Sequence, residues 1–368
     1  KKLLINAIDL RLVSDVPIAL NLSGGIDSGA ICSIASKILG KKLETFSIID
    51  SDPRYNEGNL IKATAKDCGV KTNLIKLNKG IDFFDLLKKS TEYNHYPIFT
   101  ITNLIQYYLS SFVKKRGFKV SLSGAGADEI YGGYYDHYLM ILNKLKQKKN
   151  SKYSEYLKIW KKNIKENLRN PFFKKHNLFG NNENFRGYIY DNFKNNRNYC
   201  LKKLEYNFTE KKFFNELLKN RMANELFHEN VPIFMHSEDL NSMQFSIENR
   251  SPFLDTKLIE YLFSIESEHL LNQCQNKFIL RSSLIGILNN KVLNQKMKSG
   301  FNASILSLFN FKSGEIQEFI NNDSLIYDFV DKNKIKNLIK NEKLMQKNSY
   351  SKFLFTFLSL KVFLDRPA

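Results

Sequence analysis

A short apolar run, Ile18 to Leu22, leads through Ser23-Gly24-Gly25-Ile26-Asp27-Ser28 straight into helical spacing from Asp27 to Leu39. A buried-type strand that turns through two glycines into a helix constrains this chain more than any other feature, because parallel strands need helical crossovers between them. The unit repeats. Thr45 to Ile49 and Thr72 to Leu77 read as further strands, Asn56 to Cys68 as a helix closed by Gly69, and Lys119 to Leu122 as a fourth strand after helical stretches around Leu86 and Leu104. A helix over Leu3 to Val13, ended by Pro17, precedes them all. The expected fold class is α/β, a parallel helix-covered sheet that binds ligands at the carboxyl ends of its strands. From about Asp136 strand signals fade, so a mainly helical second half is expected.

Three segments follow from this pattern: a core over 1–135, a basic Lys/Asn-rich helical insertion over 136–230, and a helical part over 231–368 that completes the site. Composition excludes other classes. With 43% hydrophobic and 25% charged residues the chain is neither disordered nor fibrous. Its four cysteines, Cys32, Cys68, Cys200 and Cys274, form no CxxC pair, which argues against a zinc or disulfide framework and for a reducing, cytoplasmic setting. No apolar run reaches the roughly 20 residues a membrane-spanning helix needs, the stretch Phe353 to Leu364 being broken by Lys361. The sequence begins inside a helical pattern at Lys1, so a preceding segment is expected to have been removed.

The net charge of +19 is concentrated. Between Ile141 and Arg221 there are 21 Lys and Arg against 7 Asp and Glu, leaving a surplus of 5 elsewhere. Tyr153, Tyr156, Trp160, Phe172, Phe173, Phe185, Tyr188 and Tyr190 interleave with that charge. Such a stretch could track a nucleic-acid backbone, but a solvated helical face is the favoured reading.

Two strand ends carry the chemistry. Gly24 and Gly25 let the backbone turn its N–H groups into a concavity, the next helix adds its dipole, and Ser23 and Ser28 add hydroxyls. This is an anion pocket without the lysine of a GxxxxGK[ST] loop. Asp27 puts a carboxylate beside phosphate, which is sensible if Mg²⁺ lies between them. At the fourth strand, Ser123-Gly124-Ala125-Gly126-Ala127-Asp128-Glu129 repeats the pattern before Tyr131-Gly132-Gly133-Tyr134. Asp128 alone would suit a helix dipole; paired with Asp27 across a crevice it makes a magnesium site with a triphosphate.

These motifs resemble the synthetase domain of glutamine-dependent asparagine synthetases, of the adenine-nucleotide α-hydrolase (PP-loop) type. Besides both loops, Arg11 to Pro17, Ser242-Met243, Glu248-Asn249-Arg250-Ser251-Pro252-Phe253-Leu254-Asp255, Lys277 to Arg281 and Lys296-Met297-Lys298-Ser299-Gly300-Phe301 match the family's signatures in order. The resemblance implies ATP and Mg²⁺ as cofactors. Leu22 and Ile48 would border adenine and ribose, Ser23, Gly24, Gly25, Asp27 and Ser28 would hold pyrophosphate, and Ser123 and Gly124 would contact the nucleotide. Asp27 and Asp128 would bind the metal, Lys298 would stabilise the intermediate, and Lys277 would help at pyrophosphate. Glu248 and Arg250 are weaker candidates for substrate contacts, a buried ion pair between them being the equal alternative. Ala125 stands where many members carry an acid or amide, which leaves the acceptor or the handling of ammonia open.

The expected reaction is aspartate, ATP and ammonia to asparagine, AMP and pyrophosphate through an acyl-adenylate. Ammonia would come from an upstream glutaminase domain, absent from this sequence, or from one in trans, and a homodimer stays open. A related amidotransferase or amide-ring-forming synthetase acting on another carboxylate is the alternative. A tRNA-modifying enzyme with the same ATP loop is the rival of another class, disfavoured because it would not account for the later motifs.

Overall fold

The computed structural model describes residues 1–77, 80–168, 170–190, 197–202, 209–272, 275–295 and 301–366, the side chain of Tyr190 excepted. Helix α1 (Lys2–Arg11) precedes β1 (Ile18–Asn21), α2 (Ile26–Ser33), β2 (Glu44–Ile49), α3 (Gly58–Cys68), β3 (Lys71–Lys76), α4 (Phe83–Asn94), α5 (Ile101–Lys115) and β4 (Val120–Leu122). A π turn over Ile34–Ile38 extends α2, and Gly69, at φ 62°, caps α3 in the left-handed conformation that glycine adopts freely. The second half supplies α6 (Ala127–Tyr131), α7 (Tyr135–Gln147), α8 (Tyr153–Asn163), the short α9 (Gly187–Tyr190), α10 (Leu217–Asn224), α11 (Val231–Met243), β5 (Glu248–Arg250), α12 (Thr256–Ser264) and α13 (Phe278–Ser283). Further short helices lead to a last helix over Asn348–Leu364.

The sheet is parallel throughout, in the order β3-β2-β1-β4-β5. Winding runs outward from β1 to β3 and then returns to the other side of β1, so the direction reverses between β1 and β4. Loops diverge there and leave a crevice at the carboxyl ends of the two strands.

Both faces of the sheet are covered, which is why β1, β2 and β4 read as apolar runs. Ile18, Leu20 and Leu22 pack with α1, α2 and the helices between Tyr138 and Leu293. Ala19, Phe46 and Ile48 pack on the opposite face with α4, α5 and residues 303–362. The residues after 231 thus divide between the two faces.

Strand β5 is a departure from the helical second half expected of the sequence. It consists of three polar residues, Glu248, Asn249 and Arg250, in register with Val120, Ser121 and Leu122. Its pairing with β4, not hydrophobic patterning, makes it a strand.

In the basic segment, Tyr156, Trp160, Phe179 and Tyr188 are buried, and Phe172, Phe173 and Phe185 pack against them. The aromatics are core, while Lys158, Lys161 and Lys162 line a shallow outer depression. Buried ion pairs of Arg221 with Asp136 and Glu210, and of Arg186 with Glu210 and Glu229, tie this segment together. Among the described residues no helix is long and apolar enough to cross a membrane.

Candidate active site

The cleft at the β1–β4 reversal encloses about 240 Å³ and is lined from both strand ends and from the helices that fold over them. Leu22, Ser23, Gly25, Asp27, Ser28, Ser123, Gly124, Ala125, Asp128 and Lys277 all face it. Gly24, Ile48, Glu248 and Arg250 do not, and Lys298 lies outside the described residues.

Local geometry explains the loop. Ser28 is buried; its Oγ donates to the Ser23 carbonyl at 3.2 Å, accepts from the Ser23 amide at 3.0 Å and lies 3.0 Å from the Ser23 hydroxyl. The Gly25 amide donates to Ser23 Oγ at 3.2 Å, and the Gly24 amide turns away from the cleft to donate to Glu57 Oε2 at 3.0 Å. The expected cradle of outward-pointing amides is therefore partly closed on itself at Ser23 to Gly25. The first-turn amides of α2, which helix geometry leaves without an intrahelical acceptor, point along its axis. Burial raises the Glu57 carboxyl to about 7, against the Gly24 amide, which favours the ionised form.

Lys277 joins the two strand ends. Its Nζ lies 2.6 and 2.7 Å from the two carboxylate oxygens of Asp27 and 2.8 Å from Asp128 Oδ1. The residue sits at φ 53°, an uncommon conformation for a side-chain-bearing residue, at the N-terminus of α13. Burial alone would drive the ammonium pKa down, yet Asp128 and Asp27 outweigh it and hold the pKa above its ordinary value. Gly133 is needed beside this triad, since a Cβ there would lie 1.8 Å from Asp128 Oδ1 and 2.6 Å from Lys277 Cε. Gly124 likewise lets β4 approach, a Cβ meeting Asp27 Cβ at 3.0 Å.

Two hard carboxylates that reach one cation, the Lys277 ammonium, from opposite strand ends are a donor set that would also suit Mg²⁺. Arg281, buried at the back of the cleft, donates to the Asn276 and Leu293 carbonyls and to Asn276 Oδ1, which fixes the Lys277 turn.

Ile48 is buried in the core and does not line the cleft; Phe46, two residues earlier on the same face of β2, does. Glu248 and Arg250 share one side of β5 and border a separate depression with Leu10, Arg11, Val13 and Met235. Arg250 Nη1 donates to the Arg11 and Val13 carbonyls, and Glu248 is exposed, so the pair is neither in the cleft nor buried. Strand alternation turns Asn249 the other way. Its Nδ2 donates at 2.8 Å to Oε2 of Glu238, a carboxylate in the cleft that sequence reasoning missed. Gln106, Thr102 and Asn276 were missed as well; only Asn276, adjoining the Lys277 motif, carried a signal.

Comparison with known proteins identifies the family and several relatives. The asparagine synthase family pattern matches residues 1–365. Two proteins of Bacillus subtilis (strain 168) are similar: asparagine synthetase [glutamine-hydrolyzing] 1, 26% identical over 86% of this chain and 50% of that protein, and asparagine synthetase [glutamine-hydrolyzing] 3, 28% identical over 79% and 46%. A shorter match, 31% identical over 36% of this chain and 22% of the relative, is to amidase chry2 of Gibberella zeae. The chain spans about half the length of the two Bacillus relatives.

Proposed function

The chain belongs to the asparagine synthase family, and from that premise we propose that it makes amides from ATP, a carboxylate and ammonia. The observation that carries the reading is the Asp27–Lys277–Asp128 bridge at the floor of the cleft, where two strand ends converge. The carboxylate attacks the α-phosphorus, pyrophosphate leaves, and ammonia then displaces AMP from the acyl carbon. Both steps need developing negative charge neutralised, and positioning with electrostatics does most of such work.

In this reading Leu22 packs on the base, Ser23, Gly25 and Ser28 with the start of α2 hold the pyrophosphate, and Ser123 and Gly124 meet the nucleotide. Gly24 acts through the loop's shape, with its amide on Glu57. Lys277 meets the leaving pyrophosphate. Mg²⁺ held by Asp27 and Asp128 would supply charge neutralisation there. Lys298 is proposed at the intermediate. Aspartate is the proposed acceptor, ammonia from a glutaminase upstream or in trans the nitrogen source, and the cytoplasm the setting. The segments 1–135, 136–230 and 231–368 are proposed as core, insertion and site-completing part.

Ala125 favours one second reading, a different carboxylate, because it lines the cleft and its methyl group offers no hydrogen bond to the substrate. Pyrophosphate release from ATP and Mg²⁺ with ammonium, measured across aspartate and a panel of other carboxylates, separates the two. Dependence on aspartate with asparagine appearing supports the first; dependence on another acid supports the second; no carboxylate dependence overturns both.

A further inference from the structure

Among the described residues three carboxylates line the cleft, and they are held in different ways. Asp27 and Asp128 are tied to the Lys277 ammonium. Glu238, on α11, is anchored by neutral groups: Asn249 Nδ2 at 2.8 Å and Ser123 Oγ at 3.4 Å, both on Oε2, with Gln106 beside it. Among the described residues no ion pair of Glu238 is found. It lines the same cleft as Ala125, whose methyl group can neither give nor take a proton.

From this juxtaposition we propose that Glu238 is the proton acceptor for the nitrogen nucleophile, a reading that rests on the amide-synthesis function above. The nitrogen lone pair forms the C–N bond at the acyl carbon and the C–O bond to AMP breaks. One N–H proton passes to the Glu238 carboxylate and from there to solvent, so acyl-adenylate plus ammonia gives amide, AMP and one proton. Asp27 and Asp128 are poor acceptors because their charge is already met by Lys277. Glu238 suits the role better, since burial raises its carboxyl to about 6, against the Asn249, Gln106 and Ser123 hydrogen bonds. It is therefore mostly ionised at neutral pH yet basic enough to take a proton. The anchoring of Oε2 on β5 holds the carboxylate still.

The experiment compares two half-reactions in the full chain. Carboxylate-dependent exchange of labelled pyrophosphate into ATP reports adenylation; amide formation from ammonium reports the second step. Glu238→Gln keeps the size of the side chain and an acceptor for Asn249. It is expected to leave exchange within about threefold of wild type and to lower amide formation by roughly 10²–10⁴-fold. Hydroxylamine, a stronger nucleophile that sheds its proton more readily, should recover at least tenfold of that loss as hydroxamate. Glu238→Asp, which retains the carboxylate, should fall between wild type and the glutamine variant, and it carries the same comparison if the glutamine variant does not fold. Equal losses in both half-reactions, or no loss in amide formation, would overturn the proposal while leaving the amide-synthesis reading intact. Absence of carboxylate-dependent exchange in the wild-type chain would overturn that reading, and this proposal with it.

Discussion

Lys277→Met tests whether the bridge between the two strand ends is a charge device or a packing contact. Methionine fills nearly the same volume and bears the same left-handed backbone cost at φ 53°, so the substitution removes the ammonium and little else. Three contacts of 2.6, 2.7 and 2.8 Å disappear, leaving Asp27 and Asp128 facing one another without their shared cation. Removing one partner from a buried ion pair costs about 3–5 kcal/mol. For 368 residues the unfolding entropy is about 0.77 kcal/mol/K, so the melting temperature should fall by about 4–6 °C at pH 7. The sign of the pH effect follows. In the variant the facing carboxylates hold a proton more tightly when folded than when unfolded, so the folded pKa is raised. Stability from that proton is fully present below the unfolded value near 4 and is lost as pH rises through the raised one. The gap between wild type and variant should thus widen from pH 5 to pH 8. Millimolar Mg²⁺, binding the folded variant's two carboxylates, should narrow it at pH 8. Calorimetry across pH, with and without Mg²⁺, checks this. A gap that is constant with pH and indifferent to Mg²⁺ would refute the electrostatic account.

Gly133→Ala should lower pyrophosphate exchange at least 10²-fold with the fold retained by circular dichroism, because its Cβ would displace Asp128 and Lys277 by about an ångström. Glu57→Gln should remove a pH dependence. The wild-type carboxyl is raised to about 7, so its contribution is present below about 4.5 and lost as pH rises through 7. In urea titrations the glutamine variant should gain on wild type by up to about 3 kcal/mol between pH 5 and pH 8. Arg250→Ala should cost about 1–2 kcal/mol of stability, since the Arg11 and Val13 carbonyls lose their donor, and should leave exchange kinetics within about threefold.

Four of the five strands were legible, β1, β2 and β4 because burial on both faces wrote its signature, and β3 as a largely exposed edge strand. Ile18 to Leu22, Thr45 to Ile49, Thr72 to Leu77 and Lys119 to Leu122 each fall within a residue or two of a strand. β5 was not, because three polar residues at a sheet edge have no period to detect. Asp27 and Asp128 were legible from glycines that only a tight strand-to-helix turn requires, and the structure joins them through a third residue the sequence had named, Lys277. Glu238 was invisible for the opposite reason: a glutamate flanked by Ser237 and Asp239 in a helix looks like solvated surface. Its partner Asn249 sat unread between Glu248 and Arg250, whose charge drew attention to the wrong side of the strand.

The pairing of β5 with β4 has a consequence for how the molecule can vary. Leu20 meets Thr45 across 25 residues of chain, whereas Leu122 meets Arg250 across 128. Loop-closure entropy grows only with the logarithm of length, so the longer excursion costs roughly 1.4 kcal/mol more than the shorter. Chain can therefore be gained or shed between these neighbouring strands at almost no thermodynamic penalty, provided both ends still return to the sheet edge. The delay falls on assembly rate. The β1–α2 loop and the Glu238–Asn249 contact can form from neighbours in sequence, but the Ser123–Glu238 contact, which spans 115 residues, must wait for the distant strand to dock, which makes the Glu238 side of the cleft the late-maturing one.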